Sequence, residues 1–335
     1  MNKTYIVAEI GNTHEGSVGL AKMFAKSASE CGVDAVKFQT HIFHEESLDS
    51  APNPPYFNNE SRKEYFERTA FNRLQWLELK EYCEKELKID FFSTPFSIAA
   101  LNLLESIEVN AYKISSGDVN NIPLLEKVAA TQKKVILSTG MSSWEDIDVA
   151  VDTLKSNNCG ELTILQCTSE YPCPPELSGI NVIDELKNRY KNVKIGYSDH
   201  TIGMAVPLAA VFKGASFIEK HFTLSKKMYG SDAMNSTEPD EFKQLVIAIR
   251  DIENALANPV DKNQIADNLF NMKKTFEKSI VLSKSLNKGH LITFEDLAFK
   301  KPGDGIKANF YKKVIGRKMA NSVKKDFQLD WDHLV

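Results

Sequence analysis

The chain has 335 residues, more than one small domain needs and enough for a large core. With 42% apolar and 26% charged residues and a net charge of −4, it lacks the basic surplus that nucleic acid rewards. No apolar run approaches a membrane span, the longest clean one being AVPLAAVF at 205–212. The N-terminal MNKTYIVAEIG carries no signal-peptide block, and five cysteines without a CxxC pair suit a reducing compartment, so a cytoplasmic protein is expected.

Short β-branched or aromatic runs recur in chain order at 5–11, 33–40, 89–96, 110–117, 134–140, 162–169, 193–199 and 216–222. Between them lie helical patterns such as GLAKMFAKSASECG, PLLEKVAATQ and WEDIDVAVDTLKSN, with apolar residues three and four apart. Strands alternating with helices imply parallel βαβ units, and eight of them in about 250 residues predict a (β/α)8 TIM barrel over 1–256. An open doubly wound sheet fits less well, because no strand feeds a GxGxxG turn. The second and third strands are separated by a long insertion whose Pro52, Pro54 and Pro55 break regular structure, and such insertions are often substrate loops. The periodic pattern stops near Ala257. Residues 257–277, beginning with the polar ANPVDKNQIADN, read as a linker, and 278–335 as a small, basic, turn-rich domain.

Catalytic groups of such a barrel sit where its strands end. Here the ends carry Glu9, then Lys37 and Gln39, Thr94, Lys113 with Ser116 and Asp118, Ser138 and Thr139, and Thr168 with Ser169 and Tyr171. The last two strands end in Ser198 and His200, and in Glu219 and His221. A lone Ser or Thr there is usually a loop residue satisfying a backbone group. Polar residues at all eight ends point instead to one site, and two lysines with several hydroxyls suit a phosphate or carboxylate. In this light the STPF and STGM segments read as anion-binding corners. His200 and His221 would face each other across neighbouring strands. That pair fits a divalent metal with open positions, or two hydrogen-bonded strand-end histidines. His14 and His41 also lie near strand ends, whereas His44, His290 and His333 read as loop or surface residues.

The ordered segments VAEIG…HEGS, VKFQTH, FFSTPFS, AYKISSGD, ILSTGM, CTSEYP, GYSDHT and IEKHFT resemble the sialic acid (nonulosonate) synthase family. The tail resembles the antifreeze-like, or SAF, domain of that family. The resemblance implies a transferase that condenses phosphoenolpyruvate with an open-chain N-acetylated amino sugar, such as N-acetylmannosamine, releasing phosphate. It assigns Lys37, Thr94, Lys113, Ser116, Ser138 and Ser198 to phosphoenolpyruvate. His200 and His221 become ligands of Mn²⁺ or Mg²⁺. Glu9, Asp118, Tyr171 and Asp232 fall around the sugar and reacting carbonyl, with Glu9 or Asp118 moving the proton. It also implies a homodimer in which a basic residue of the tail, by position Lys301, closes the partner's site.

The chain departs from the family pattern at several points. Asp118 stands where Glu is often found, and Ser169 stands where some members have Asn. Lys301-Pro302-Gly303 replaces Arg-Pro-Gly, losing a planar fork. SAPNPPYFNNES at 50–61 replaces a NAPKAxYQ-like run beside the sugar pocket, leaving a 2,4-diacetamido-6-deoxy sugar close behind N-acetylmannosamine as the expected substrate. No basic cluster there suggests a 6-phosphate. Rival readings are another phosphoenolpyruvate–aldose condensing synthase, a metal-dependent aldolase or isomerase on the same barrel, and a non-catalytic binding protein.

Overall fold

In the computed structural model, which describes residues 3–53, 60–230 and 232–335, eight parallel strands close into a barrel in the order of the chain. They are β1 (Tyr5–Gly11), β2 (Ala35–Thr40), β3 (Asp90–Pro95), β4 (Ala111–Ile114), β5 (Lys134–Ser138), β6 (Leu162–Cys167), β7 (Lys194–Asp199) and β8 (Phe217–His221). Each lies within a predicted run. The largest difference is at β4, which ends at Ile114 before Ser116–Asp118 turn into a short 3-10 helix. The barrel and the helices around it form one compact unit, Met1–Ala257.

The surrounding helices are α1 (Val18–Glu30), α2 (Phe43–Glu46), α3 (Arg62–Thr69), α4 (Arg73–Glu81), α5 (Ile98–Glu105), α6 (Ile122–Ala130), α7 (Trp144–Ser156), α8 (Val182–Arg189), α9 (Ala205–Phe212) and α10 (Pro239–Ala257). Local chemistry starts several of them. Ser17 and Ser97 cap α1 and α5, and reciprocal capping boxes, Ser61 with Glu64, Asn72 with Gln75 and Ser143 with Asp146, open α3, α4 and α7. Each box satisfies two amide groups that would otherwise lack a partner. The insertion between β2 and β3 thus contains α2, α3 and α4, while its residues 54–59, including Pro54 and Pro55, lie outside the described residues.

The two-residue period of a strand sets the barrel's interior. One inward layer, Val7, Ala35, Phe92, Ala111, Ile136, Leu165 and Phe217, is an apolar cluster that plugs the floor. Gly196 completes it: a Cβ there would come within 2.5 Å of the Phe217 carbonyl oxygen and 2.6 Å of Leu165 Cδ2. Two residues further along the same strands, the layer becomes Glu9, Lys37, Thr94, Lys113, Ser138, Cys167, Ser198 and Glu219, all buried. The outward faces of the strands join a separate apolar core with the helices, including Ile6, Phe38, Tyr112, Leu137 and Ile218.

The second unit is Asn258–Val335. Residues 257–277, read from the sequence as a linker, contain α11 (Lys262–Asn268) and α12 (Phe270–Phe276). The end of α12 belongs with the following domain, since Gly303 N–H donates to the Lys274 carbonyl at 2.8 Å. An antiparallel pair, β9 (Ser279–Leu282) and β10 (Leu297–Lys300), and α13 (Tyr311–Val314) build a small core around Ile280, Leu282, Ile306, Val314 and Leu329.

Candidate active site

A cavity of about 590 Å³ opens at the strand-end face of the barrel. Glu9, Lys37, Thr94, Lys113, Ser116, Asp118, Ser138, Ser169, Tyr171, Ser198, His200, His221 and Asp232 all line it. These are all of the predicted site residues except Lys301, which belongs to the second unit. Strand register explains the gathering: Glu9 pairs in register with Lys37 on one side and His221 on the other, and Ser198 with Glu219.

Two buried ammonium groups meet two buried carboxylates at the base of the cavity. Lys37 Nζ lies 2.8 Å from Glu9 Oε2 and 3.7 Å from Glu219 Oε1, and Lys113 Nζ lies 3.3 Å from Glu219 Oε1. Ser198 Oγ donates to Glu219 Oε1 at 3.1 Å, and Gln39 Nε2 donates to Glu9 Oε1 at 2.9 Å. Burial raises the Glu219 carboxyl, but the charges of Lys113, Lys37 and His221 outweigh it and hold the group ionised. Burial lowers Lys113 despite Glu219, whereas in Lys37 the charges of Glu219 and Glu9 overcome burial and raise it. The two cations therefore differ, and Lys113 gives up its proton more readily. Ser138 Oγ is buried with no hydrogen-bond partner among the described residues, so its hydroxyl is free to meet a substrate oxygen.

The two histidines sit side by side with ring centroids 5.5 Å apart. His200 Nδ1 donates to the Thr168 carbonyl at 2.7 Å, which fixes the ring and leaves Nε2 as the electron-pair donor. His221 Nδ1 is buried with no hydrogen bond among the described residues and lies 3.8 Å from Asp232 Oδ2. Burial, only partly offset by Asp232 and Glu9, holds His221 below the ordinary imidazole range, in the neutral form that ligates metals. Among the described residues no three His, Cys, Asp or Glu side chains form a closed metal cage. The donor set fits an open centre that leaves positions for water and substrate, of the catalytic rather than the structural type.

Two loops complete the walls. Gly140 N–H donates to Ser116 Oγ at 2.9 Å, and a Cβ on Gly140 would come within 2.4 Å of Ser169 Oγ. Gly11 has φ +58°, and a Cβ there would come within 2.9 Å of Asp232 Oδ2. Asp118 accepts from Ser115 Oγ at 2.6 Å and from Asn121 Nδ2 at 3.2 Å, yet burial raises its carboxyl above the ordinary range. In STPFS and STGMSS the duties divide: Thr94 and Ser138 face the cavity, while Ser97 and Ser143 cap helices.

Strand-end reasoning assigned no role to several groups found here. Glu219 links both lysines, and its alternation with Phe217 and His221 on β8 was the available signal. Gln39 was visible at the end of β2, but its contact with Glu9 depends on a neighbouring strand. Arg62, Tyr65 and Phe66 reach the cavity from α3, and Glu46 from α2. Nothing in their local pattern announces this, because the insertion folds over the mouth only in three dimensions. His14 does not line the cavity; it is fully buried, stacked on Phe71 at 4.3 Å.

A closed (β/α)8 barrel with a charged, hydroxyl-rich cavity at its strand ends defines an enzyme acting on small anionic or polyhydroxylated substrates. Residues 24–261 match the NeuB family and residues 277–335 the SAF domain, and the chain belongs to the NeuB family, a family of transferases. An uncharacterised protein of Methanocaldococcus jannaschii is 38% identical, covering 99% of this chain and 95% of that one. The N,N'-diacetyllegionaminic acid synthase of Campylobacter jejuni is 36% identical, over 97% of this chain and 98% of its own. Among solved structures, an N-acetylneuraminic acid synthetase of Leptospira borgpetersenii superposes with a TM-score of 0.70 at 33% identity, covering 82% of this chain and 93% of that one. Among the described residues no helix is long and apolar enough to cross a membrane.

Proposed function

We propose that the chain condenses phosphoenolpyruvate with an open-chain N-acetylated amino sugar and water, giving a nine-carbon 2-keto sugar acid and phosphate. The observation that carries this reading is the buried pair Lys37 and Lys113, held at one cavity base among Thr94, Ser116, Ser138 and Ser198. Two cations and four hydroxyls suit a small molecule bearing both phosphate and carboxylate. The sugar is N-acetylmannosamine or a related diacetamido sugar, a choice supported by relatives named for an N-acetylated and a diacetylated product.

Chemically, C3 of the enol bonds to the sugar's aldehyde carbon, water adds at C2, and the C–O bond to phosphate breaks. A divalent cation, Mn²⁺ or Mg²⁺, held by His200 and His221 supplies Lewis-acid polarisation and a more acidic water. The lysines neutralise the substrate's anionic groups and then the departing phosphate. Asp118, whose carboxyl burial raises, gives a proton to the aldehyde oxygen in this reading, and Glu9 takes one from water; both line the cavity. Tyr171, Ser169 and Asp232 complete the walls around the sugar.

In this reading the enzyme works in the cytoplasm as a homodimer, and Lys301 of one protomer closes the site of the other. Lys301 Nζ sits 4.8 Å from the centre of the Phe276 ring and has no ion-pair partner among the described residues, so its charge is available. A phosphate-release assay with phosphoenolpyruvate, Mn²⁺ and a panel of free and 6-phosphorylated acetamido sugars and phosphorylated pentoses tests the reaction. Release with a free acetamido sugar is expected, and release only with phosphorylated pentoses overturns it. Lys37→Ala and Lys113→Ala should raise the KM for phosphoenolpyruvate far more than that for sugar. Refolding His221→Ala and Lys301→Ala together tests the dimer: activity returns only if sites form between protomers.

A further inference from the structure

The strand β2 ends in His41, whose ring is clamped face to face between Phe66 and Phe96, with centroids 3.7 Å and 4.1 Å away. The clamp fixes the ring plane, so each nitrogen has one partner. Nδ1 lies 2.8 Å from Glu46 Oε1, and Nε2 lies 3.1 Å from Gln39 Oε1. Gln39 in turn donates from Nε2 to Glu9 Oε1, and Glu9 is ion-paired with Lys37. A continuous chain thus runs Glu46–His41–Gln39–Glu9–Lys37.

Donor and acceptor counting restricts the protons in this chain. Glu9, facing Lys37, is an acceptor, so Gln39 must present its amide N–H to Glu9 and its carbonyl to His41. His41 must then carry a proton on Nε2. A neutral ring with that tautomer has a bare Nδ1, which would face an ionised Glu46 acceptor to acceptor at 2.8 Å. The other neutral tautomer satisfies Glu46 but sets a bare Nε2 against the Gln39 carbonyl. Flipping the amide cures that clash only by turning its oxygen onto Glu9. The arrangement closes only with one further proton on the pair, and a planar cation between two aromatic faces is a favourable place for it.

We infer that His41 and Glu46 share one proton in addition to the Nε2–H and act as positioning residues, locking Gln39 and through it Glu9 against the substrate cavity. The charged groups around the pair are few. Asp118, from the turn after β4, feels both Glu46 and His41, and Arg62 of α3 lines the same cavity. Phe66 and Phe96 are uncharged, and Glu46 Oε2 is buried with no partner among the described residues. Without that extra proton, Gln39 loses its hold on either His41 or Glu9. The consequence for turnover rests on the function proposed above, whereas the protonation pattern does not.

Long-range ¹H–¹⁵N correlation spectra of the ligand-free protein, with His41 assigned by its absence in His41→Phe, read the tautomer directly. A protonated Nε2 at pH 7 is expected, and a bare Nε2 overturns the proposal. The same spectra of Glu46→Gln should keep the Nε2–H, because an amide N–H donates to Nδ1 and the lock then needs no extra proton. Loss of the Nε2–H in Glu46→Gln also overturns the proposal. His41→Phe preserves the stack and should raise the sugar KM more than that of phosphoenolpyruvate, a split that a purely structural role would not produce. A protonated Nε2 in a protein that never turns over phosphoenolpyruvate would sink only the reaction assignment.

Discussion

The floor and the mouth of the barrel are built from inward positions of the same strands, two residues apart. On β1 the pair is Val7 and Glu9; on β4 it is Ala111 and Lys113; on β8 it is Phe217 and Glu219. Both layers are buried, yet their energetics are opposite. Apolar side chains at the floor leave water at a gain of about 25 cal/mol per Å². Charges at the mouth lose hydration worth several kcal/mol per ion, recovered only through mutual pairing. Stability alone would favour extending the apolar plug by one layer. Four paired charges in its place mark where binding and chemistry outweigh folding. A third kind of buried charge sharpens the point. Lys220 pairs with Asp199 on the outward face of β7 and β8, and also donates to the Thr201 carbonyl at 2.6 Å. Neither residue lines the cavity, so this pair is structural.

If the division holds, damage to one layer should leave the other's property intact. His221→Ala, at the mouth, should lower turnover by about a thousand-fold or more, the equivalent of about 4 kcal/mol, with little change in melting temperature. Near-normal turnover of metal-stripped wild type would break the metal assignment. Phe92→Ala, at the floor, should cost about 3–5 kcal/mol in a denaturant titration, with kcat nearly unchanged in the folded fraction. Replacing a whole mouth pair, Lys113→Met with Glu219→Leu, should abolish turnover while leaving stability equal or up to about 4 kcal/mol higher. A large loss of stability would show that the charges hold the barrel together.

The smallest effect concerns His14, a buried imidazole outside the site. Burial pushes it down from the ordinary 6.5 to about 3, so it stays neutral in the fold. Between those values the unfolded chain binds the proton and the folded chain does not. Stability should therefore fall as pH drops below 6.5, by up to about 1.4 kcal/mol per pH unit from this group. His14→Phe keeps the stack on Phe71 and should flatten that slope. It removes the acceptor for the Gly16 N–H, a loss largely independent of pH that a slope measurement ignores.

Much of the molecule was legible in the chain because strand geometry is periodic. Alternation along each strand, with helical spacing between strands, was enough to name the barrel and fourteen strand-end residues that line its cavity, whereas Asp232 came only from the family resemblance. Residues such as Lys37, His200 and Ser138 could be placed by counting, since a barrel sends every strand end to one face. The SAF-type tail was legible from its turn-rich composition and its resemblance to known relatives. Helix formation over 262–276 was not, because α11 and α12 are short, polar and largely exposed, with little apolar period to betray them.

What the tertiary structure alone decided were partnerships between side chains far apart in sequence. Glu219 joins Lys37 to Lys113 because closure sets β8 against β1 and brings β2 and β4 to the same interior. Phe66 from the insertion and Phe96 from the end of β3 clamp His41, and Glu46 meets its Nδ1. A sequence determines which residue types stand at which period, since that follows from backbone geometry. It does not display who faces whom, because hydrogen bonding and ion pairing depend on distances of about 3 Å that only the folded chain establishes.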